Sequence, residues 1–222
     1  MGTNLIHASM ANDISKFILL GTVCSYPKFC DVPFKEDDLW KGYPEETNAP
    51  YGIAKKTLMK MIETYHKQYG FNGINLIPAN MYGPYDHFNL TSSHVIPALI
   101  MKVDQAISNK QGTITLWGTG TPSREFLFAS DCADAIALAI EKEAPPAPIN
   151  IGTGQETKIS ELASMIGEMM GFEGEFIYDT SKPDGQPRRS LDVSRSKEVL
   201  GFEAQTSLRS GLKVTIDWYL QN

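Results

Sequence analysis

Apolar positions along the chain follow two spacings. Residues 17–20 and 73–79 form near-continuous apolar runs of strand length, which predicts strands buried on both faces. Between them Ala54, Leu58, Met61, Ile62 and Tyr65 recur at helical spacing, Pro50 opens the segment and Gly70 closes it, so a helix is expected over about 50–68. The same reading places helices at 1–12, 93–108, 131–143, 159–170, 194–200 and 207–220, with Pro97 tolerable only in the first turn of its helix. Further strands are expected at 113–117, 124–128, 149–151 and 174–178. A long Pro-containing loop spans 23–48 and a Pro-rich linker spans 144–148, with no internal repeat. Strands separated by helices imply βαβ units, hence an α/β fold with a mostly parallel sheet. In such sheets ligands sit at the carboxyl ends of the strands, so chemistry is expected just after the apolar runs.

Composition narrows the function classes. The chain has 222 residues, 20 basic and 26 acidic, a net charge of −6, and 42% hydrophobic residues. That is enough apolar matter for a sizeable core and too much for a disordered chain. Mild acidity without a Lys/Arg cluster argues against nucleic acid as a partner. No apolar run approaches the ~18 residues of a membrane helix, and no basic stretch precedes an apolar leader, so neither membrane nor secretion is expected. Cys24, Cys30 and Cys132 have no metal-site spacing, and an odd count argues against a disulfide framework. No metal is expected, and a cytoplasmic location fits best.

Three constellations follow the apolar runs: Gly21-Thr22-Val23-Cys24-Ser25-Tyr26-Pro27, Pro50-Tyr51-Gly52-Ile53-Ala54-Lys55 and Asn80-Met81-Tyr82-Gly83-Pro84. Tyr51 and Lys55 are four apart, on one helix face. An ammonium beside a phenol favours the phenolate, which lets the pair pass a proton to or from a carbonyl oxygen at neutral pH. Thr22, after the preceding strand, offers a hydroxyl to the same oxygen. A bare Tyr-x-x-x-Lys pattern is common by chance; its conjunction with the other two constellations makes it functional.

The segments Leu20-Gly21-Thr22, Tyr51-x-x-x-Lys55 and Arg124-Glu125-Phe126-Leu127 with Asp131 resemble the extended short-chain dehydrogenase/reductase superfamily. Within it, Cys24–Lys28, Glu46–Lys55, Asn80–Pro84, Ser93–Leu99, Trp117–Pro122 and Lys182-Pro183-Asp184-Gly185 resemble the GDP-L-fucose synthase family, the GDP-4-keto-6-deoxy-D-mannose 3,5-epimerase-4-reductases. The resemblance implies the C-terminal part of a Rossmann-type parallel sheet, residues 1–88 with 130–152, plus a small α/β substrate-binding domain, residues 89–129 with 153–222. It also implies NADP(H) as cofactor and a GDP-sugar as substrate. By the same resemblance Tyr51, Lys55, Thr22, Cys24 and His94 are catalytic, with Cys24 and His94 the acid–base pair of epimerisation. Leu20, Gly21, Thr22, Val23, Lys55, Pro78, Ala79, Asn80, Met81 and His94 would border the cofactor, and Lys102, Trp117, Arg124 and Asp184 the nucleotide sugar. The family dimerises through the Tyr-bearing helix and the helix before it, which implies a homodimer or higher oligomer; the apolar 17–20 strand, expected at an edge, would then be covered.

Departures from the family are equally specific. The glycine-rich G-x-x-G-x-x-G phosphate turn does not occur in the 222 residues. Thr22 stands where the family usually has Ser, Phe128 and Ser130 where it often has His and Asp, and Lys102 where it often has Arg, keeping charge and losing bidentate geometry. Impaired cofactor binding is therefore expected. Two other readings stay open: another NAD(P)-dependent nucleotide-sugar epimerase or dehydratase, and a non-catalytic sugar-nucleotide-binding protein.

Overall fold

The computed structural model describes residues 1–89 and 92–222. Its central layer is a parallel three-stranded sheet of order β1-β2-β6, built from β1 (Phe17–Leu20), β2 (Gly73–Pro78) and β6 (Pro148–Ile151). The helices α1 (Gly2–Ala11), α2 (Ala49–Tyr69), α4 (Ala129–Glu141) and α6 (Ser194–Leu200) pack around it. The long helix is placed by its ends. Pro50 sits in its first turn, where no N–H is needed, and Gly70 closes it in the left-handed conformation at φ 70°. Met59 and Ile62 are its fully buried residues, packed with Ile74, Leu76, Ile77, Ile149 and Ile151 of the sheet in one hydrophobic core.

A second core lies around α3 (Val95–Ser108), α5 (Ile159–Met170) and α7 (Leu208–Gln221), joined by Tyr82, Ile114, Leu116 and Phe126. Two smaller sheets serve it. In one, β5 (Ser123–Phe128) pairs in parallel with β3 (Asn80–Tyr82) and β9 (Arg188–Arg189) and antiparallel with β7 (Glu156–Lys158). In the other, β4 (Thr113–Trp117) runs parallel to β8 (Glu175–Asp179).

Most elements predicted from spacing are present within one or two residues of their expected ends. Three differences stand out. The 17–20 strand is not buried on both faces: only Leu19 is buried, and Phe17, Ile18 and Leu20 are half-buried. The 23–48 loop contains two 3₁₀ turns, Val23–Ser25 and Glu36–Trp40, each too short to carry a periodic signal. Strands β3, β7 and β9 are two or three residues long, below the length at which alternation is readable. No helix among the described residues is long and apolar enough to cross a membrane.

Candidate active site

A cleft of about 480 Å³ opens at the carboxyl ends of β1 and β2. Six segments supply its walls: the 21–24 turn after β1, the start of α2, the crossing from β2 into β3 and its loop, the start of α3, β5, and the first residue of α4. The three sequence constellations therefore meet in space.

Each segment has a local reason for its place. After β1 the chain turns at Thr22, whose Oγ1 accepts the Cys24 N–H at 3.2 Å. This cap fixes the rotamer and leaves the Thr22 O–H as a donor for the cleft. The same turn packs against α2 because residue 52 is glycine; a Cβ there would collide with the Cys24 carbonyl. Ser25 Oγ donates to the Gly52 carbonyl at 3.0 Å, which locks the turn to the helix one residue beyond Tyr51. Tyr51 is 52% exposed and lines the cleft. Lys55, one turn on, has Nζ 5.9 Å from the Tyr51 ring centroid and donates to the Leu20 carbonyl at 2.8 Å. That bond uses one of three ammonium protons and holds the charge beside the phenol.

Cys24, His94 and Arg124 also reach the cleft. His94 is the N-cap of α3 by position, yet its side chain makes no capping hydrogen bond and is exposed. Arg124 donates to its neighbour's carbonyl, Ser123 O, at 2.7 Å. Burial, with the Arg189 guanidinium adding repulsion, pushes its pKa down to about 10. Gly21, Val23, Pro78, Ala79, Asn80 and Met81 line the cleft, and Asn80 Nδ2 is anchored on the Glu125 carbonyl at 3.0 Å.

The remaining expected residues lie elsewhere. Leu20 reaches the site only through its carbonyl. Lys102 is outside the cleft lining, with Nζ donating to Thr115 O at 3.2 Å. Trp117 is 72% exposed on β4, with Lys182 Nζ 5.8 Å from its ring centroid. Asp184 accepts from Thr119 N and Thr119 Oγ1 at 2.6 and 2.9 Å, so in this structure it clamps the 118–121 turn.

Two residues were given no role from the sequence, Glu125 being quoted only within a family motif and Arg189 not at all. Glu125, 1% exposed, accepts at Oε1 from Thr153 N and Gly154 N at 2.6 and 2.9 Å and at Oε2 from Leu191 N and Ser190 Oγ at 2.7 and 3.0 Å. It thereby ties β5 to the loop after β6 and to the chain leaving β9. Arg189, on β9, lies opposite Arg124 in the strand register and donates to Cys24 Sγ at 3.5 Å. The Arg188-Arg189 doublet soon after Lys-Pro-Asp-Gly was the available signal.

A dinucleotide fits this site at one end. The Tyr51 hydroxyl and the two remaining Lys55 protons suit a ribose and nicotinamide. A pyrophosphate needs a glycine turn opening a helix. The helical segment that follows β1 is the three-residue Val23–Ser25 turn, already capped by Thr22, and offers no such cradle. Among the described residues no group of His, Cys, Asp and Glu is arranged to hold a metal ion.

Comparison with known proteins fits this geometry. Residues 1–152 match the model of the NAD dependent epimerase/dehydratase family. Over 222 residues the chain is 41% identical to a GDP-L-fucose synthase of Sinorhizobium fredii, covering 100% of this chain and 70% of that protein. It is 42% identical to the GDP-L-fucose synthase of Escherichia coli, covering 99% and 71%. The fold matches the crystal structure of a GDP-L-fucose synthetase from Naegleria fowleri bound to NADP, with TM-score 0.92, 26% identity, and 100% and 71% of the two chains covered. The chain belongs to the NAD dependent epimerase/dehydratase family and is a homologue of the GDP-L-fucose synthases, about 70% of their length.

Proposed function

We propose that this chain carries the substrate-converting part of a GDP-L-fucose synthase-type epimerase-reductase acting on GDP-4-keto-6-deoxy-D-mannose. The observation that supports it most is the meeting of Thr22, Cys24, Tyr51, His94 and Arg124 on one cleft, with Lys55 behind Tyr51. The Thr22 hydroxyl donates to the keto oxygen and stabilises the enolate formed when a proton leaves an adjacent carbon. Cys24 and His94 exchange protons at the two carbons flanking the ketone. NADPH, when bound, supplies the hydride for reduction. Lys55 would hold its nicotinamide ribose, beside Pro78, Ala79, Asn80, Met81 and His94, and Tyr51 would supply the proton to the sugar oxygen. Arg124 neutralises the diphosphate. Trp117, Lys102 and Asp184 serve the nucleotide from β4 and its neighbouring turn, outside the cleft proper. In the domain division, 1–88 with 130–152 form the cofactor-side unit and 89–129 with 153–222 the substrate side. A cytoplasmic setting follows from soluble GDP-sugar chemistry.

A paired titration of the 222-residue chain tests this. GDP-mannose is expected to bind, whereas NADPH is expected not to reach micromolar affinity, because among the described residues no glycine turn opening a helix meets this cleft. Micromolar NADPH binding would overturn the cofactor argument, and absence of GDP-mannose binding would overturn the substrate assignment. Nucleotide-sugar binding without proton exchange beside the ketone would favour the non-catalytic reading.

The oligomer belongs to the same proposal. A groove of about 650 Å³ runs along the outer face of α2, lined by Trp40, Tyr43, Ile53, Met61 and Tyr65 among others, and contains none of the site residues. A second copy covering this face buries apolar area at about 25 cal/mol per Å². The open edge of β1, with the uncharged sequence Phe-Ile-Leu-Leu, lacks the usual edge protections. Light scattering should give a dimer or larger species; a stable monomer with fast amide exchange at Ile18 and Leu20 contradicts this.

A further inference from the structure

We propose that Arg189 is a positioning residue for Cys24: it aims a guanidinium N–H at the sulfur and stabilises the thiolate. This deepens the proposed acid–base role of Cys24 and rests on it. When Cys24 protonates a carbon, the S–H bond breaks, a C–H bond forms and the electron pair stays on sulfur; the reverse step returns the proton. Either direction needs a thiolate that is tolerated in the cleft.

The geometry around Arg189 suits that task. Its Nε and Nη2 both donate to Gln186 Oε1, at 3.2 and 2.8 Å, and Gln186 Nε2 is itself anchored on the Lys28 carbonyl at 3.0 Å. These bonds orient the planar fork and leave Nη1 directed at Cys24 Sγ, 3.5 Å away. Below, Glu125 grips Ser190 and Leu191, which fixes the backbone that carries Arg189. Arg189 is not part of the cleft wall, whereas Cys24 is, so the guanidinium acts from behind the sulfur.

Charge accounting supports the same assignment. Arg124 and Arg189 stand opposite each other in the β5–β9 register, and neither has an Asp or Glu partner among the described residues. Arg124 loses proton affinity through burial and the Arg189 charge, and regains part of it from Cys24. A half-buried guanidinium with only an amide and a sulfur for partners is an electrostatic resource for an anion at that sulfur. The other ionisable groups on the cleft are Tyr51, Tyr82, Tyr85, Asp86, His94 and Arg124, with Lys55 behind Tyr51. Arg189, from behind the cleft wall, is the charged group in hydrogen-bond contact with Sγ among the described residues.

The test is site-resolved alkylation of the folded chain by iodoacetamide, followed by peptide mass spectrometry from pH 6 to 10. Cys24 in Arg189→Met should react about five- to tenfold more slowly at pH 7 and converge on the wild-type rate at high pH, where the thiolate forms unaided. Arg189→Lys should recover most of the rate, because it restores the charge. If Arg189→Met fails to fold, Gln186→Leu carries the test: it keeps the charge, frees the fork and should shift the profile in the same direction by less. An unchanged pH profile, or a slowing equal at every pH, would overturn the proposal. Labelling needs no turnover. A Cys24→Ala variant that still epimerised would sink the role of Cys24 and leave the alkylation result standing.

Discussion

Tyr51→Phe should lower ketone reduction by about 10²–10⁴-fold while leaving GDP-sugar binding nearly unchanged, the range expected when a positioned general acid is removed. The substitution deletes one oxygen and keeps the ring, so packing at the start of α2 is preserved. Tyr51 lines the cleft, and the Lys55 ammonium is held 5.9 Å from its ring centroid with a bond to Leu20 O. No other donor combines that position with that support. The assay needs the cofactor end of the site, supplied by joining the chain to an amino-terminal strand–glycine turn–helix unit from the same family. Oxidation of NADPH then reports reduction. Activity within tenfold of the parent would move the proton-donor role away from Tyr51, with His94 the next group on the cleft.

Glu125→Ala should be the most destabilising single change near the site. The side chain is buried and accepts four hydrogen bonds, three from backbone N–H groups and one from a serine hydroxyl. Truncation leaves those donors buried without an acceptor at about 1–3 kcal/mol each, offset in part where water enters the gap. A net loss of about 4 kcal/mol is expected, which for a chain of this size corresponds to roughly 10 °C in Tm. Gln at this position does not repair the site, because its amide N–H₂ meets the Leu191 or the Thr153 and Gly154 N–H groups head-on. Thermal unfolding by circular dichroism checks the value. A shift below 2 °C would mean that the loops find other acceptors.

The parts of the site that were legible lie in long elements. The 73–79 run and the helix over 50–68 have enough period to be read, and both positions and order emerged within a residue or two. With them came the ends of those elements, where Thr22, Tyr51, Lys55 and Asn80 sit. The partner of those ends on the substrate side was less visible. Strand β9 is two residues long and exists because Glu125 and the β5 backbone capture it, a contact between positions 65 residues apart. No local pattern encodes such a contact, so Arg189 was missed. The depth of the 17–20 strand was misjudged for a related reason. Its place at an edge was expected, but its apolar composition is that of a strand covered on both faces, and its exposure depends on which elements pack over those faces. Asp184 shows the opposite case: Asp-Gly reads as a turn, and in the structure Asp184 clamps one.

Epimerisation exchanges protons and needs no hydride, so it isolates this chain's own chemistry from the cofactor. The most direct measurement is deuterium incorporation into GDP-4-keto-6-deoxy-D-mannose incubated with the 222-residue chain in D₂O, followed by NMR at the two carbons flanking the ketone. Incorporation is expected at both carbons without NADPH, with loss at one or both in Cys24→Ala. A folded chain that binds the GDP-sugar yet incorporates no deuterium above the buffer rate would contradict this expectation.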